Sequence, residues 1–177
     1  MGPFPHDAEK SKITADNPAG TDGFEFVEFA STEPQELRDL FTRMGYAHVA
    51  NHKTQQIELW QQGDITYVLN AEPDSFAAGF VNDHGPCAPS MGWRVVDAQH
   101  ALAHAVSKGA EEYTGTGKVL DVPAIKGIGG SLIYFVDQYY DTSPYNEEYD
   151  WIAQSKPAGV GFYYLDHLTH NVFKGNM

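Results

Sequence analysis

A repeated order of elements constrains this chain most. Two helical segments close at Gly45 and Gly109, giving a period of about 64 residues. Residues 23–30 (GFEFVEFA) interleave charges with aromatic and β-branched side chains and read as a strand. Ser31 and Thr32 precede Glu33-Pro34-Gln35-Glu36, a helix start with proline and acids in the first turn. Leu37, Leu40, Phe41 and Met44 supply the apolar face of that helix. Strands are predicted over 46–51, 56–61 and 64–70, with a turn at Gln62-Gly63.

After a short helical connection over 75–83, the order recurs. Residues 91–96 (MGWRVV) predict a strand, and 97–108 a helix capped by Asp97 with Ala101, Leu102, Ala105 and Val106 inward. Short strands at 111–114 and 118–122 precede the strongest one, 131–137 (SLIYFVD). The expectation is an α+β fold in which paired β-α-β-β-β modules curve into a barrel-like cup with helices outside. Residues 1–22 read as a mobile leader, 23–137 as the cup and 138–161 as a turn-rich linker. Residues 162–177 then read as the opening strand (162–172) of a further, truncated barrel.

Composition narrows the function classes. Eleven Lys and Arg against 24 Asp and Glu leave a net charge of −13, which repels phosphate backbones and anionic lipid. Neither a nucleic-acid nor a membrane partner is expected. The apolar runs fall short of the roughly 20 residues a bilayer-spanning helix needs. The single cysteine, Cys87, excludes an internal disulfide framework, and with no signal-peptide pattern a cytoplasmic location is expected.

Along 163–172 (YYLDHLTHNV), alternation puts Leu165, His167, Thr169 and Asn171 on one face and Asp166, Leu168, His170 and Val172 on the other. His167 and His170 therefore cannot both ligate one ion from a regular strand. The mixed polar face carrying His167 suits a cavity, although a lone strand histidine is more often structural than a ligand.

Three segments, DHLTHNV (166–172), KGIGGSLIYFVD (126–137) and GFEFVEFA (23–30), resemble bacterial 4-hydroxyphenylpyruvate dioxygenases of the vicinal-oxygen-chelate class. The similarity runs from about Gly23 to Met177 and covers the N-terminal half of the family's length. It implies four β-α-β-β-β modules in two barrels and a homo-oligomer. In the second barrel, two His and one Glu hold Fe(II), leaving positions open for substrate and oxygen. His167 matches the first of those ligands; the other two would lie beyond Met177. The implied reaction turns 4-hydroxyphenylpyruvate and O2 into homogentisate and CO2, a step of tyrosine catabolism. Thr169 shares the face of His167 and is expected to line the substrate pocket. By itself the 177-residue chain is expected to be inactive.

The remaining motifs have plainer readings. Overlaying GFEFVEFA on LDHLTHNV sets Glu25 against His167 and Glu28 against His170, yet no ligand set converges and no metal is expected within 23–137. Glu25 is expected to hydrogen-bond or face solvent. His100 and His104 have i, i+4 spacing but lack the glutamate of HExxH, so a solvated helix face is expected. Gly127-Ile128-Gly129-Gly130 precedes a strand and not a helix, which removes the anion-binding geometry. His84-Gly85-Pro86-Cys87 reads as a connecting loop rather than a thiol nucleophile beside its base. Two other functions stay open: 4-hydroxymandelate synthase, and a standalone non-catalytic module binding a small aromatic ligand or a partner.

Overall fold

The computed structural model describes residues 9–139, 143–169 and 174–175. Both modules are present. The first comprises β1 (Thr21–Ala30), α1 (Pro34–Arg43), β2 (Ala47–His52), β3 (Ile57–Gln62) and β4 (Ile65–Asn70). The connection is α2 (Phe76–His84), capped by the Ser75 hydroxyl, which accepts from the Ala78 amide. The second module comprises β5 (Cys87–Val95), α3 (Ala98–Ser107), β6 (Ala124–Lys126) and β7 (Leu132–Val136), followed by β8 (Tyr149–Trp151).

The eight strands form one sheet in the order β6-β7-β5-β1-β4-β3-β2-β8. Each module pairs its first strand in parallel with its last, β1 with β4 and β5 with β7, so the repeat holds in topology. Antiparallel pairing of β1 with β5 joins the modules, setting Phe26 opposite Gly92 and Glu28 opposite Ser90.

Strand alternation decides what lies on each face. Ile65, Leu69 and Trp60 pack outward beneath α1, against Phe41 and Leu37. Phe135, Ile125 and Val95 do the same beneath α3, against Ala98 and Ala101. The inner face collects Phe26, Leu59, Val68, Leu132, Tyr134 and Val136 into the largest cluster. Phe26 and Gly92 meet at its centre: a Cβ on Gly92 would lie 2.4 Å from the Phe26 ring, so the ring occupies the space a side chain would fill. Two helical residues depart from the expected faces, since Leu40 and Val106 are exposed.

Several expectations need correction. Residues 118–122 form no strand; Val119 and Leu120 are both buried in the cup. Two tyrosines do the work of a neighbouring strand there: the Val119 amide donates to the Tyr134 hydroxyl, and the Tyr149 hydroxyl donates to the Val119 carbonyl. Of the strand expected at 111–114 there is only a single bridge, Glu112 to Ile125, so the second module has three strands, β5, β6 and β7. Cys87 opens β5 instead of lying in a loop.

The leader is anchored over its described part. Asp22 is buried, accepting from the Ser11 amide and the Tyr139 hydroxyl, and Gly20 packs against Ile13 and Val96. Within 138–161, β8 pairs with β2, and Tyr145 and Tyr149 enter the inner core. Residues 162–169 make no strand ladder; the Asp64 amide donates to the Tyr163 carbonyl and the Phe162 amide to Gln62 Oε1 instead. The rest of that expected strand, His170 included, lies outside the described residues.

Replacing Gly92 with alanine should overpack the Phe26 contact and cost about 1–3 kcal/mol, read as a lower urea midpoint. The double variant Phe26→Leu/Gly92→Ala should recover part of that loss, since the two side chains share one space.

Candidate functional site

At one end of the inner face lies a buried ion pair. A register shift in β1 between Phe24 and Phe26 lets the consecutive residues Glu25 and Phe26 both turn inward. Arg94 reaches the same face from β5, and its Nε donates to Glu25 Oε2 at 2.6 Å. The two side chains are 4% and 7% exposed, Arg94 and Glu25 respectively. Burial pushes the Glu25 carboxyl above its usual range, against the opposing pull of Arg94.

Beside this pair is a cavity of about 290 Å³ lined by Glu25, Gln61, Thr66, Arg94, Tyr145 and Trp151, among others. Gln61 donates to the Thr66 hydroxyl at 3.0 Å, and the Arg94 guanidinium lies 5.8 Å from the centre of the Tyr139 ring. The Tyr145 hydroxyl is buried without a hydrogen-bond partner among the described residues.

The other end of the inner face holds Glu28. Its carboxylate accepts from Asn70 Nδ2 at 2.7 Å and from the Ser90 hydroxyl. Burial, only partly offset by these two bonds, pushes its carboxyl up to about 7. Between the two carboxylates stands the apolar waist around Phe26 and Tyr134, whose rings are 5.5 Å apart.

His167 lies apart from both ends. Its side chain is 74% exposed, and Nδ1 donates to Asp166 Oδ2 at 2.7 Å. That bond leaves the free lone pair of the imidazole on Nε2. One histidine suits one position of a ligand set. No group of three His, Cys, Asp or Glu side chains able to hold a metal occurs among the described residues. Thr169 is exposed and lines no cavity described above.

The segment leading to His167 is gripped by the β3–β4 turn. Buried Gln62 accepts through Oε1 from the amides of Val160 (2.6 Å) and Phe162 (3.3 Å), while its Nε2 donates to the Met44 carbonyl. The Gly63 amide donates to the Pro157 carbonyl and the Asp64 amide to the Tyr163 carbonyl. A Cβ on Gly63 would sit 2.4 Å from Tyr163 Cα, so only glycine allows so close a crossing.

The other motifs take structural roles. His100 Nε2 contacts the Pro18 carbonyl at 2.8 Å, tying α3 to the N-terminal segment, and its backbone amide is capped by Asp97. His104 is exposed. Burial and the nearby Glu28 charge push the Cys87 thiol up, away from the reactive thiolate. His84 stacks near Phe80, with ring centres 4.2 Å apart. Ile128–Gly130 is a short 3₁₀ turn entering β7, with Gly129 at φ 68°. Arg94 was not singled out as a functional residue by sequence; a lone arginine sharing the inward face of its strand with Ser90 and Gly92 was the available signal.

A β-α-β-β-β module and a reduced β-α-β-β copy of it, joined through their first strands, define a vicinal-oxygen-chelate fold. The family model described as hydroxyphenylpyruvate dioxygenase, N-terminal, matches residues 15–151, and the chain belongs to this family. It is 48% identical over 174 residues to hemolysin VllY of Vibrio vulnificus, covering 93% of this chain and 49% of that protein. It is 43% identical over 175 residues to the 4-hydroxyphenylpyruvate dioxygenase of Pseudomonas aeruginosa, covering 94% and 49% respectively. Among solved structures, a xylose isomerase-like TIM barrel/4-hydroxyphenylpyruvate dioxygenase fusion protein matches at TM-score 0.68 and 33% identity, over 84% of this chain and 22% of that one. The chain thus spans about half the length of the curated relatives it matches.

Glu28 makes stability depend on pH. Its folded value of about 7 lies above the ordinary 4.5, so the folded state binds the proton more tightly. Stability should therefore fall as pH rises from about 4.5 through 7, by about 3 kcal/mol in all. Glu28→Gln should flatten that slope, making the variant relatively more stable at pH 8 than at pH 5 in paired urea titrations.

Proposed function

We propose that this chain forms the N-terminal barrel of an Fe(II)-dependent 4-hydroxyphenylpyruvate dioxygenase, and that His167 supplies one of its iron ligands. The reaction takes 4-hydroxyphenylpyruvate and O2 to homogentisate and CO2, so both oxygen atoms end in the products. Family membership supports this reading, and the Asp166–His167 hydrogen bond is the single structural observation that carries it.

When bound, Fe(II) would supply the oxygen chemistry. The chain's own residues prepare one corner of its site. Asp166 accepts the Nδ1 proton, holding the lone pair of His167 on Nε2 for the metal. Gln62, Gly63 and Asp64 fix the backbone just ahead of these two residues. Thr169, two residues beyond His167, is proposed to face the substrate. The remaining ligands would come from the part of the relatives' length that this chain does not span.

Joined to the C-terminal half of the Pseudomonas aeruginosa relative, the chain should support oxygen uptake with 4-hydroxyphenylpyruvate and Fe(II). His167→Ala in that chimera should abolish uptake and iron retention, and Asp166→Asn should weaken iron binding by roughly 10–100-fold. The unfused chain should show no uptake above a protein-free control. An active His167→Ala chimera would remove the assignment.

A further inference from the structure

The cavity beside Glu25 and Arg94 is a built polar site that the proposed iron chemistry does not use. We propose that it binds a small carboxylate, with the terminal guanidinium nitrogens of Arg94 and the Tyr145 hydroxyl as donors to the ligand's oxygens. The inference is independent of His167.

Three observations carry it. Arg94 is 4% exposed, and its hydrogen bond to Glu25 uses Nε alone. Its two terminal nitrogens make no hydrogen bond among the described residues, leaving a planar pair of donors suited to a carboxylate. The Tyr145 hydroxyl, on a residue only 2% exposed, meets no acceptor in good hydrogen-bond geometry among the described residues; it faces the Glu25 carboxyl and lines the same cavity. Buried donors without acceptors are costly, and a ligand rich in acceptors removes that cost. Thr66 adds a second hydroxyl, whose oxygen already accepts from Gln61.

Size and charge restrict the class further. At about 290 Å³ the cavity sits at the small end of ligand sites, enough for a carboxylate carrying at most one ring. Tyr139 and Trp151 offer aromatic surface for such a ring. The ionised wall groups balance as two pairs, Glu25 with Arg94 and Asp64 with Lys156. An entering anion therefore shares Arg94 with Glu25. Burial already pushes the Glu25 carboxyl upward, so proton uptake there can restore the balance; Arg94, Asp64, Lys156, Tyr139 and Tyr145 are the charged or titratable groups around it.

The test is calorimetric titration of the 177-residue chain with benzoate, alongside benzamide as its uncharged counterpart. Trp151 fluorescence provides a second readout, because this indole lines the cavity. Saturable benzoate binding at least roughly tenfold tighter than benzamide is expected, as a charge-assisted hydrogen bond requires. Tyr145→Phe should weaken benzoate several-fold without changing the fold. The paired variant Glu25→Gln/Arg94→Met, which leaves no lone buried charge, should abolish the preference over benzamide. Three results would each overturn the proposal: absence of saturable benzoate binding, equal binding of benzamide, or a benzoate affinity that neither variant changes.

Discussion

The antiparallel seam between β1 and β5 holds the two modules as one body. It sets Phe26 over a glycine that has no side chain to contest the space, and that contact sits at the centre of the inner core. A register slip of one residue would turn every inward side chain outward and separate Glu28 from Ser90 and Glu25 from Arg94. The same seam thus sets both the packing of the waist and the partners of the two interior carboxylates. Buried charge is tolerated here because each carboxylate is met by donors from the neighbouring strand.

Those two carboxylates are treated differently by their surroundings. Glu25 meets a full positive charge, whereas Glu28 meets only neutral donors. Removing one partner from a buried ion pair costs about 3–5 kcal/mol, so Glu25 and Arg94 stand or fall together. Glu28 escapes the comparable penalty by holding its proton near neutrality. The inner face is therefore a graded surface: ionic at one end, apolar in the middle and protonatable at the other.

Where periodicity was strong, the sequence carried the fold. The alternation of 23–30 and 131–137, the Gly45 and Gly109 stops and the Asp97 cap all correspond to elements in place. What escaped notice depends on contacts distant in the chain. Nothing local in KVLDV says that its backbone is satisfied by Tyr134 and Tyr149 instead of a strand. Nor does Asp22 reveal that Tyr139, far along the chain, will anchor it. On the site, the resemblance supplied His167, while Glu25 was foreseen as a hydrogen-bonding residue without its counter-ion. Arg94 is invisible as a partner until the β1–β5 register is known.

The clasp formed by Gln62, Gly63 and Asp64 has a mechanical consequence. Tyr163 is fastened to the β3–β4 turn, and His167 follows only four positions later. Even fully stretched, that leash is about 14 Å long. The imidazole is thereby confined to the neighbourhood of one rim, at a high effective concentration for any group presented there. Assembly around it loses little tethering entropy, because the search volume was restricted before any partner arrived.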